Sequence, residues 1–267
     1  RSTLFPYTTL FRSLFMPLPL LPMLMAEAAE YRRFQAPQED GQTLVDPPRP
    51  SLGSLVARNR SHLGGLDYDV QGRSLADLAA AARQSLVERA IDYSSRYQNI
   101  SQREFWDRQQ DGPLILSGHQ PQLFHAGVWY KNFVLGNLAK EVGGTGIHLL
   151  IDSDLCRTAS IRVPAGSVDA PHVESVPFDR PAADVPYEER SVQDEVTFCG
   201  FAAHVAERLR PLVARPIVET LWPLTCDRMG GERNLGLRIA QGRHLYEADL
   251  GNHTLELPQS SVCRLHE

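Results

Sequence analysis

The sequence predicts an α/β fold, a parallel sheet core carrying a helical segment on its N-terminal side. Two short apolar runs, at 113–117 (PLILS) and 147–151 (IHLLI), each break into a polar loop and read as buried strands. Between them, 127–140 (GVWYKNFVLGNLAK) carries Val128, Phe133, Val134, Leu138 and Ala139 in helical order and stops at Gly143-Gly144. The composition suits a chain with a sizeable core, since 42% of the 267 residues are hydrophobic and 22% charged. In a parallel strand-helix-strand unit the loops after both strands emerge on one rim, where ligands of open α/β folds bind.

From the N-terminus, 3–13 (TLFPYTTLFRS) looks like the in-frame translation of a sequencing adapter, so 1–13 is set apart from the fold. Removing Arg1 and Arg12 from 27 basic residues leaves 25 against 32 acidic ones. An acidic chain offers no overall positive field for phosphate backbones, which argues against nucleic acid as a partner. The apolar stretch 14–25 imitates a signal peptide only by borrowing Arg12, and Pro17, Pro19 and Pro22 break it well short of the roughly 20 residues a spanning helix needs. Met16, Met23 and Met25 all offer starts, and the expectation is a cytoplasmic protein with no membrane partner. Cys156, Cys199, Cys226 and Cys263 form no CxxC pair, so reduced, buried thiols and no metal site are expected.

Two regions follow: 14–110 as an N-terminal loop and helical segment, and 111–267 as the α/β domain, expected to be incomplete at its C-terminus. Residues 35–72 read as surface loop around QAPQEDGQ and DPPRP. The clearest helix is 74–97, with Ser74 and Asp77 resembling a capping box and Leu75, Leu78, Ala82, Leu86, Ala90, Tyr93 and Tyr97 along one face. Arg83, Glu88, Arg89 and Arg96 belong to its solvated side. Beyond the central unit, 158–163 and 172–178 read as strands, 181–186 as a linker, 201–212 as an amphipathic helix, 227–233 as a solvated turn and 252–257 (NHTLEL) as a strand with no closing helix.

The chemistry concentrates in two loops. In SGHQPQLFHAG (117–127), Gly118 permits a sharp turn and Gly127 at a helix start leaves N–H groups open to an anion. His119, Gln120 and His125 add hydrogen-bonding groups, and Lys131, one turn into the helix, adds a fixed charge. In DSD (152–154), Asp152 and Asp154 can bind a cation through oxygen or hold an amine or a ribose hydroxyl. As plain turn chemistry, either loop also serves structure alone. His148, inside the apolar run, reads as a satisfied core residue. GxGxxG, GxxxxGK[ST], HExxH and GxSxG are all missing, which removes the common dinucleotide, P-loop, zinc-protease and serine-hydrolase readings.

SGHQPQLFHAGVWYKNFVLGNLAKE followed by IHLLIDSD resembles the core of the bacillithiol-biosynthesis cysteine-adding enzymes (cysteine ligases), over residues 114–154. The resemblance implies a divergent, truncated relative with a Rossmann-like core akin to class I aminoacyl-tRNA synthetases, and Pro121 with His125-Ala126-Gly127 loosely echoes their nucleotide motif. Gly118 and Gln120 fall on the family's Gly-Gln-Gln loop, with His119 at its first Gln. Gly127 and Lys131 fall near its helix start, and Asp152 and Asp154 where it has Glu-Asp-His-Asp. The acidic motif here lacks its His, and the family's Gly-Pro pair is Ala126-Gly127. The implied function is a ligase or transferase joining an amino acid, cysteine among the candidates, to a small acceptor with an adenine nucleotide as cofactor. His119, Lys131, Asp152 and Asp154 would be catalytic, and Gly118, Gln120, His125 and Gly127 would bind substrate or nucleotide. Two alternatives stand beside it: a metal-dependent glycosyltransferase using Asp152-Ser153-Asp154 as D-x-D, and a non-catalytic binding module.

Overall fold

The computed structural model describes residues 33–35, 37–39, 41–100, 112–227 and 231–264. The adapter-like stretch, the apolar run 14–25 and part of the 227–233 turn lie outside these residues. The chain divides into two compact units, Arg1–Leu44 and Val45–Glu267. The described part of the first has no helix or strand.

The fold is mixed α/β around a three-stranded parallel sheet. Strand β3 (Leu114–His119) pairs with β4 (Thr145–Leu150), and β4 pairs with β9 (Leu255–Pro258). The strand-helix-strand expectation therefore holds, with helix α3 (Ala126–Glu141) between β3 and β4. The third strand answers the NHTLEL segment. Ile147, Leu150 and Leu255 are fully buried, each burial contributing about 1.5 to 3 kcal/mol. α3 crosses closely over β4 because Gly146 has no side chain: a Cβ there would lie 3.3 Å from both Ala139 and Leu135.

Before the sheet come helix α1 (Arg49–Gly64), the two-residue strands β1 (Asp69–Val70) and β2 (Arg73–Ser74), and helix α2 (Leu75–Ser95). α1 corrects the expectation of a loop over 35–72. It begins with proline at its first turn, where the missing N–H costs nothing, and buries no residue, so no apolar stripe betrayed it. α2 starts where expected, with Ser74 Oγ accepting the Asp77 N–H at 3.0 Å. Its Val87, Ala90, Ile91 and Tyr93 pack with Ile147, Leu255 and Leu257. At its end, Ser94 Oγ donates to the Glu256 carbonyl at 3.3 Å and accepts the Glu256 N–H at 2.9 Å, engaging both backbone groups of the outer strand β9.

After the sheet's second strand, β5 (Leu155–Cys156) pairs with β8 (Val185–Pro186), and β6 (Ser160–Gly166) forms an antiparallel hairpin with β7 (Pro171–Pro177). Helix α4 (Glu195–Leu209) starts six residues before the expected 201, because Asp194 caps it through the N–H groups of Val196 and Thr197. Helices α5 (Val218–Cys226), α6 (Leu235–Asp249) and the short α7 (Gln259–Cys263) were not foreseen. Trp222 of α5 fills the second core, with ring centroids 4.4 Å from Phe201 and 4.9 Å from Phe198, and its indole N–H donates to the Phe198 carbonyl at 2.6 Å. Cys156 is buried as expected, but Cys199 and Cys263 are exposed, and all four cysteines are free thiols.

α6 stands between the two cores. Ten of its fifteen residues are buried, and they include Arg238, Gln241, Arg243, His244 and Glu247. Each of these polar groups has a partner, as burial requires. Arg238 forks onto both Glu195 oxygens at 2.8 and 2.9 Å, and Arg243 pairs with Glu247 at 2.6 Å and with Glu256 of β9. Glu247 also takes N–H donors from Trp129 at 2.6 Å and Asn132 at 2.8 Å. Tyr97 of the α2 C-terminal turn sits 2.8 Å from His244 Nδ1, and its hydroxyl reaches Glu256 at 3.3 Å.

Candidate functional site

Because β3, β4 and β9 are parallel, the segments leaving their C-terminal ends share one rim. His119 ends β3 directly beside Leu150 of β4. The loop 120–125 and the turn 151–154 are then joined across the rim, as Gln120 Nε2 donates to Asp154 Oδ2 at 2.7 Å. The two polar loops singled out in the sequence come together.

Lys131 reaches back from α3 and donates to the Gly118 carbonyl at 2.5 Å, with burial lowering its pKa. One ammonium N–H is thus committed. His119 packs its ring against Phe124, centroids 4.8 Å apart, and its Nδ1 lies 3.3 Å from the Gln120 carbonyl. Burial lowers its pKa; the carbonyl contact opposes this, and Lys131 and Arg243 reinforce it, so the ring is neutral at pH 7. Asp154 is exposed and held below the usual carboxylate range, first by the Gln120 amide and then by the Leu155 N–H at 2.9 Å.

The other nominated residues are placed differently. Gly118 lies inside β3 rather than at a turn, and a Cβ there would approach Leu149 O and Ile151 Cδ1 at 3.2 Å. His125 is the N-cap of α3, and its Nδ1 accepts the Gly127 N–H at 3.0 Å. That N–H is therefore not open to an anion, which corrects the expectation for Gly127. Asp152 is only 1% exposed, and Ser260 occupies both of its oxygens, through its N–H at 2.9 Å and its hydroxyl at 2.6 Å. It anchors the start of α7 to β4. Since Asp152 and Asp154 serve different partners, they do not form a shared D-x-D cation grip. Among the described residues no cluster of three or more His, Cys, Asp or Glu is arranged to hold a metal. His148 is buried as expected, yet neither ring nitrogen has a hydrogen-bond partner, and burial pushes its pKa down to about 2.

Residues absent from the sequence reading complete the rim. Tyr187 donates its hydroxyl to Gln122 Oε1 at 3.0 Å, and its backbone N–H donates to the Asp154 carbonyl at 2.9 Å, tying the two loops to the β8 connection. Behind them lies Arg243, whose i,i+4 spacing from Glu247 looks in sequence like an ordinary surface pair. Among the described residues no helix is long and apolar enough to cross a membrane. No protein-family model, no curated protein and no solved structure matches this chain.

Proposed function

We propose that the rim is the active site of a small-molecule ligase or transferase, a divergent cysteine-ligase-like enzyme on a Rossmann-like core that joins an amino acid to a small acceptor. The observation that carries the reading is the Gln120–Asp154 bridge between loops leaving adjacent parallel strands, with Lys131 and His119 at the same end of β3. Asp154 receives the substrate ammonium, because its carboxylate is exposed, ionised and held in place by Gln120. His119, neutral at pH 7, takes the proton that the amine must lose before its nitrogen can attack. Lys131 keeps two N–H groups beyond the one given to Gly118 and turns them toward the negative charge that develops on the attacked carboxyl. Activation would come from a bound adenine nucleotide, which would esterify that carboxyl through a phosphoryl or adenylyl group, and this group would leave with its oxygen as the new C–N bond forms. Cytoplasmic placement and a small-molecule partner belong to the same reading.

Isothermal titration with adenosine triphosphate and with cysteine tests it. Saturable binding of either ligand is expected, weakened about tenfold or more by Lys131→Ala or Asp154→Asn while the melting temperature stays close to the parent's. Lack of affinity for adenine nucleotides and for amino acids would end the proposal.

A further inference from the structure

Next to the rim, a pocket of about 300 Å³ opens between the loop 120–126 and helices α3 to α6. Phe124, Trp129 and Leu221 wall it, Ile217, itself 48% exposed, stands at its mouth, and Arg243 and Gln122 are its polar neighbours. That is the volume and lining of a small-ligand site: mostly apolar, with few polar groups to orient the guest.

The charge around Arg243 decides what kind of guest fits. Its terminal nitrogens are spent on Glu247 and Glu256, while its central carbon lies over the Phe124 ring, 5.6 Å from the centroid. One cation already paired with two buried carboxylates gives an anion no net attraction, whereas the Phe124 and Trp129 rings and the aliphatic walls around them favour an uncharged π system. The guest is therefore a neutral aromatic ring rather than a carboxylate or a phosphate.

We infer that this pocket binds a neutral aromatic ring of the molecule on which the rim acts. That the ring belongs to the substrate rests on the proposed rim chemistry; the pocket's affinity for a ring does not. Saturation-transfer NMR with benzyl alcohol and with benzoate tests it on the full chain. Benzyl alcohol is expected to bind saturably and benzoate about tenfold or more weakly. Ile217→Trp, which plugs the mouth from a half-exposed position, is expected to abolish benzyl alcohol binding, while Ile217→Ala keeps it. Absence of saturable benzyl alcohol binding, or equal binding by Ile217→Trp, overturns the pocket assignment, and benzoate binding as tightly overturns the neutral-ring assignment. Titration of the Ile217→Trp variant with adenosine triphosphate and cysteine separates the two readings: retained binding there, with benzyl alcohol binding lost, supports both. If the unmodified chain binds the ring but neither of those ligands, the ring pocket stands and the rim chemistry falls.

Discussion

Replacing Arg243 with methionine keeps most of the side chain's apolar bulk and deletes the guanidinium charge that two buried carboxylates share. In the parent, Arg243 is 5% exposed, Glu247 1% and Glu256 fully buried. Glu247 would keep Trp129 and Asn132 as donors and Glu256 the Tyr97 hydroxyl, so neither acid is stripped bare, yet both lose their counter-ion. Breaking a buried pair by removing one partner costs about 3 to 5 kcal/mol, which for a chain of this size lowers the melting temperature by roughly 6 to 20 °C. The loss should depend on pH. In the parent, Glu247 ionises below its ordinary range because the attraction of Arg243 and the N–H donors outweigh desolvation, so its contribution is present above about pH 4.3 and lost as the solution is acidified further. In Arg243→Met the desolvation acts without that opposing charge and raises the folded pKa. The variant then loses stability as pH rises through that raised value, and the gap between parent and variant widens from pH 5 to pH 8. Urea denaturation at those two pH values measures it. A gap under about 1 kcal/mol at pH 8, or one that does not change with pH, would refute the reasoning.

Two further outcomes follow from buried positions. His148→Leu should be at least as stable as the parent at pH 7, since two orphaned ring nitrogens are removed, and it should lack the one-proton loss of stability, about 1.4 kcal/mol per pH unit, that the parent's depressed pKa imposes as pH falls below about 6.5; thermal melts between pH 7 and pH 5 decide this, and a loss above about 2 kcal/mol at neutral pH would contradict it. Gly242→Ala should destabilise by about 1 to 3 kcal/mol in equilibrium unfolding despite alanine's helical advantage of about 1 kcal/mol, because the new methyl would lie 2.5 Å from Thr225 Cγ2 and 2.8 Å from its backbone nitrogen, where α5 presses on α6.

The β3-α3-β4 unit was legible because two short apolar runs flank a helical stretch closed by Gly143-Gly144, and the rim followed from parallel topology alone. α6 left no such trace. A helix buried all round has no polar face, and its arginines and acids read as solvent-facing until their partners, Glu195 and Glu256, are known. The same limit separates Asp152 from Asp154. Two residues apart in sequence they look equivalent, but one is sealed by Ser260, 108 residues later, and the other opens to the rim through Gln120. Helix α4 was entered late for a simpler reason: the cap at Asp194 precedes the first run of apolar residues, and only the cap marks the start.

The Ser94 hydroxyl has a consequence beyond holding α2. By taking up the outward donor and acceptor of Glu256, it removes the handhold that a second molecule's extended backbone would need to prolong the layer on that flank. Association there must first peel a helix away, and its barrier is set by the apolar contacts of Val87, Ala90 and Ile91.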